Sequence, residues 1–143
     1  MANLFVKSSN SVSHAKLKEM LIEEVKKQGK KFGLIIKKVS GGSTNTTVFD
    51  YQAFKGVPKV MYRVDPETGK EELVRGVEIV GTPLASIGKT IATSDHTGVF
   101  NGYCGAESGS IPVSAIAPAI LFKEIELQKG MEMKERGFLI PPP

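Results

Sequence analysis

Apolar residues recur along the first third of the chain at two different spacings. From His14 onward Leu17, Leu21 and Val25 return every four residues, Met20 and Ile22 widen the stripe, and Lys16, Lys18, Glu19, Glu23 and Glu24 fall outside it. That spacing predicts an amphipathic helix of about four turns that covers a sheet. Ser13 is placed to cap its start and Gly29 to stop its end. Residues 3–10 before it read as an extended polar lead-in. Residues 32–39 change pattern: Leu34, Ile35, Ile36 and Val39 make a β-rich run that predicts a strand.

Alternation is clearest in residues 57–64, where Val60, Tyr62 and Val64 interleave with Lys59, Met61 and Arg63. Residues 71–80 continue it with Leu73, Val77, Ile79 and Val80, and Gly76 marks a bulge. Asp65-Pro66-Glu67-Thr68-Gly69-Lys70 between them carries turn chemistry, so the two runs predict an antiparallel hairpin. Thr82-Pro83 then opens a short helix over residues 83–91, with Pro83 at its first position. Residues 94–98 predict a turn, residues 99–103 a strand, and residues 116–127 a further strand that turns Ile120, Phe122, Ile125 and Leu127 inward. These readings add up to an α+β fold, mainly antiparallel β-sheet, with one long N-terminal helix and one short helix. Residues 1–130 form a single domain, and residues 131–143, closing on three prolines, an extended C-terminal tail.

Composition narrows the class. The chain has 143 residues, enough for one domain with a real core, and is 41% hydrophobic and 24% charged, as ordinary globular proteins are. A single cysteine cannot close an internal disulfide. No apolar run reaches the length of a membrane span, and the N-terminus lacks the apolar segment of a secretory signal. The expectation is a cytoplasmic protein that engages no membrane. The net charge of +4 comes with lysines at 26, 27, 30, 31, 37 and 38, but no aromatic residues interleave with them, and basic residues at a helix C-terminus suit the macrodipole. No nucleic-acid partner is expected.

Candidate chemistry is sparse. Gly88-Lys89-Thr90 imitates part of a phosphate-binding loop, but the glycine required five residues earlier is Pro83, so that reading fails. Residues 40–47, Ser-Gly-Gly-Ser-Thr-Asn-Thr-Thr, form a small hydroxyl-rich segment that is either a plain connection or a ligand-binding rim of amides and hydroxyls. His14 and His96 are the only histidines, and nothing in the sequence brings them together with Cys104; His96 is the better placed of the two for a role near it. Cys104 sits between Gly102 and Gly105 in Phe-Asn-Gly-Tyr-Cys-Gly. The residues alone leave three readings for it: nucleophile, buried core thiol, or metal ligand.

Three blocks, Val77-Glu78-Ile79-Val80-Gly81-Thr82-Pro83-Leu84, Phe100-Asn101-Gly102-Tyr103-Cys104-Gly105-Ala106-Glu107-Ser108-Gly109 and Ile111-Pro112-Val113-Ser114-Ala115, resemble in order the C-terminal part of the TldD/PmbA family. These are zinc metallopeptidases, also named modulators of DNA gyrase. The resemblance runs from the first helix to the end and covers most of the chain. It implies that Cys104 is a zinc ligand, the other two ligands being the histidines of a His-Glu-x-x-x-His helix whose glutamate is the general base. It also implies a peptide substrate, with Gly41, Gly42, Ser43 and Thr44 at the peptide cleft, and a homo- or heterodimer. The chain departs from the family pattern in one respect: it contains no His-Glu-x-x-x-His, and Glu107 is no substitute for the missing base. The implied function is therefore that of a C-terminal domain or fragment, inactive alone, that completes its zinc site with the remainder of the peptidase and holds no zinc tightly by itself. The alternative is a standalone non-catalytic domain that binds a peptide or protein and uses Cys104 for packing.

Overall fold

The structure, a computed structural model, describes residues 3–45, 53–106 and 109–130. The elements in order are β1 (Leu4–Phe5), α1 (His14–Lys27), β2 (Gly33–Asn45), β3 (Ala53–Val64), β4 (Glu71–Val74), β5 (Val77–Gly81), α2 (Pro83–Gly88), β6 (Thr90–Ala106), β7 (Gly109–Phe122) and β8 (Glu126–Lys129). They make two sheets. One has the order β1-β7-β6; the other runs β2-β3-β5-β8, with β4 also paired to β3.

Local chemistry sets the ends of these elements. The Ser13 hydroxyl accepts the Lys16 N–H and opens α1. At the other end Gly29 takes a φ of 62°, its N–H reaching the Lys26 carbonyl and the Lys30 N–H the Val25 carbonyl, the paired bonds that close a helix on glycine. The β3–β4 turn is held by the Asp65 carboxylate, which accepts the backbone N–H groups of Glu67 and Thr68 at 2.9 and 2.8 Å, while Gly69 supplies a φ of 68°.

The apolar face of α1 lies on β2, β6 and β7. It comes down on Gly33, where an added Cβ would stand 2.9 Å from Val25 Cγ2, so only glycine admits the helix at this depth. Leu17 and Val25 from the helix, Met61 and Val64 from β3, Ile79 from β5 and Leu121 from β7 are buried in the apolar core. Lys18 and Lys37 both pair with Glu71, tying α1 and β2 to the start of β4. Beyond this core the β2–β3 and β6–β7 hairpins run on. A 17-residue strand such as β6 spans roughly 55 Å, far more than the core needs, and its outer half carries exposed Val99, Phe100 and Tyr103.

The α+β expectation with a long N-terminal helix is corrected. Strands hold 60% of the described residues and helices 17%, and the helices have 14 and six residues, so the chain is mainly β. Antiparallel pairing prevails, but β1 joins β7 in parallel. The excess of strand comes from polar and glycine-rich stretches. The segment read as a loop from Ser40 is strand through Asn45, paired with residues 53–57, because a partner strand satisfies its backbone whatever its side chains. The predicted turn at residues 94–98 is instead an irregularity inside β6. There buried Ser94 donates to the His96 carbonyl and accepts the Ala119 N–H, and Val12 bridges alongside. The strand expected over residues 116–127 is divided between β7 and β8, which lie in different sheets. The second helix stops at Gly88. Residues 46–47, Glu107 and the tail at 131–143 lie outside the described residues.

Candidate functional site

The two glycine-rich stretches singled out in the sequence lie some 60 positions apart, and the fold brings them to one groove. Ser40, Gly41 and Gly42 of β2 line it with Phe100, Asn101, Gly102 and Tyr103 of β6, Pro112, Val113 and Ser114 of β7, and Asn3. Its volume is about 690 Å³. Gly42 is required here, since a Cβ would run into the Lys55 carbonyl of β3. Gly102 leaves room for the Phe100 ring, which an added Cβ would meet at 3.0 Å. The Ser40 hydroxyl is held by the Val57 carbonyl at 3.0 Å. Ser43 and Thr44 continue along β2 opposite Lys55 and Phe54 and do not line the groove.

Cys104 follows the last groove residue of β6. It is half-buried, opposite Ile111 of β7, and free of any disulfide. β6 is an edge strand among the described residues, and its pairing shows which amides are open. The Ile116 carbonyl accepts from Val6, and the Ser114 N–H donates to Asn3 Oδ1 at 3.1 Å, so both direct their polar backbone groups away from β6. Their partners Val99 and Asn101, and Tyr103 by the same alternation, therefore turn N–H and C=O to the open edge. An unpaired edge of this kind is a template for an extended chain.

The histidines line a different cavity. His14 and His96 line one cavity of about 620 Å³ under α1, with Lys18, Lys37 and Glu71 among its other walls, and Cys104 is not part of it. Sequence reasoning missed this convergence because it depends on how α1 crosses β6. Lys37 also stands 4.6 Å over the Tyr62 ring. Lys18 and Lys37 hold the Glu71 carboxyl below the ordinary carboxylate range by hydrogen bonding and charge.

A zinc centre needs three or four converging donors. Among the described residues no group of three His, Cys, Asp or Glu side chains could hold a metal ion, so the described residues around Cys104 do not make a complete site. No described helix is long and apolar enough to cross a membrane. No protein-family model and no curated protein matches the chain.

Proposed function

We propose that this chain is the C-terminal part of a TldD/PmbA-like zinc metallopeptidase of the cytoplasm, providing one wall of a peptide cleft and a single thiolate ligand, Cys104. The observation that carries the reading is the groove. It joins Ser40, Gly41 and Gly42 to Phe100–Tyr103, directly before Cys104 and beside an open strand edge. An extended peptide laid along that edge would run toward the thiol. The histidines and the base come from the remainder of the peptidase, as another segment or another subunit, and the exposed Val99 and Ile111 are surface for it to cover. By itself the chain binds and orients; it does not cleave.

Zinc titration of the 143-residue chain tests this. The expected result is weak binding that Cys104→Ala removes, together with ready alkylation of Cys104 in the folded protein. Tight, full occupancy by this chain alone, or alkylation only after unfolding, defeats the assignment. The second outcome leaves a peptide-binding domain with a packing cysteine.

A further inference from the structure

Among the described residues the groove is lined by no charged side chain: Asn3, Ser40–Gly42, Phe100–Tyr103 and Pro112–Ser114 are all neutral, in a chain that is 24% charged. Three other grooves among the described residues each carry lysine and glutamate: Lys18, Lys37 and Glu71 in one, Lys30, Lys123 and Glu124 in the next, Lys89, Glu124 and Glu126 in the third. A charged side chain entering this groove finds no counter-charge among its described lining residues.

The groove's polar groups are set in a definite sense. Asn3 Oδ1 accepts the Ser114 N–H at 3.1 Å, and Asn101 Oδ1 accepts the Ser114 hydroxyl at 2.7 Å. With both carboxamide oxygens turned to one serine, each asparagine has its NH₂ group to offer a ligand carbonyl. Carboxamide NH₂ groups donate to peptide carbonyl oxygens without adding a formal charge to the groove. The exposed rings of Phe100 and Tyr103 add apolar contact at the same place.

We infer that the groove selects uncharged peptide segments, with Asn101 and Asn3 donating to peptide carbonyls and Asn101 setting the discrimination. This rests on the reading of the groove as a peptide cleft, but not on zinc. The test is a titration of the ¹⁵N-labelled 143-residue chain with the capped peptide Gly-Ser-Phe-Ser-Gly and its Asp and Lys counterparts at the centre. The neutral peptide should shift the amides of Gly41, Gly42, Asn101 and Gly102, and each charged version should bind at least about tenfold more weakly. Asn101→Asp keeps the side chain's size and its acceptor for Ser114 while replacing the donors with a negative charge. It should lower affinity for the neutral peptide about tenfold and make the Lys peptide preferred over the Asp peptide, a preference that a merely structural role would not produce. The peptide titrations are run without zinc, so failure of the zinc assignment and failure of this one are read separately. Equal binding of the three peptides, no shift at the groove, or no preference for the Lys peptide over the Asp peptide in Asn101→Asp overturns the inference.

Discussion

Met61→Ala tests where the stability of this chain resides. Met61 is 2% exposed, on the strand that pairs with β2, β4 and β5, and it sits between Ile36 and Val74 in register. The substitution deletes three heavy side-chain atoms. Their transfer out of water is worth about 2 kcal/mol. If the site keeps its shape, an unfilled volume of roughly 70 Å³ adds about 1.5 kcal/mol more. The expected loss is therefore about 2 to 4 kcal/mol, the lower figure applying if neighbouring strands collapse into the gap. Unfolding entropy for this length is about 0.3 kcal/mol/K, so the melting temperature should fall by about 7 to 13 °C. Urea denaturation followed by far-UV circular dichroism should show a lower midpoint at unchanged slope. Leu84→Ala, on α2 at 83% exposure, is the control and should stay within about 0.5 kcal/mol of the parent. A Met61→Ala loss below about 1 kcal/mol would refute the placement of the core between β3, α1 and β7.

Glu78 is a buried carboxylate held below its ordinary value of 4.5, chiefly by hydrogen bonds from Lys55 and Gln128 at 2.8 and 2.9 Å. Because the folded value is the lower one, its contribution is complete above about pH 4.5 and is lost as pH falls through the folded value. Glu78→Gln should lower the urea midpoint at pH 7 and flatten its decline on acidification. Gly42→Ala forces a Cβ onto the Lys55 carbonyl and should cost about 1 to 3 kcal/mol in urea melts, with amide shifts confined to the far half of the β2–β3 hairpin. Gly29→Ala puts a side chain at a φ of 62° and should cost about 1 kcal/mol, read as earlier helix loss on heating.

What the residues determined by themselves was local. Ser13, the Leu17-Leu21-Val25 stripe and Gly29 carry the start, face and stop of α1 within a few turns of chain, and Asp65 to Lys70 carries its turn, because each needs only neighbours in sequence. The same local reasoning mistook Ser40–Asn45 for a loop and Ser94–Gly98 for a turn. Whether hydroxyl- and glycine-rich backbone pairs depends on a partner strand, and here the partners are residues 53–57 of β3 and, across the irregularity in β6, residues 117–120 of β7. Those pairings shift the chain from α+β to mainly β. The same is true of the candidate site. Gly41, Gly42 and Cys104 stood out by composition, but Asn3, Asn101 and Ser114 did not. Lone asparagines and serines carry no signal until the fold sets three distant stretches of chain around one groove and engages their oxygens on one another. The convergence of His14 and His96 is of that kind too: spacing along a chain fixes the face of a helix, but only packing decides what that face meets.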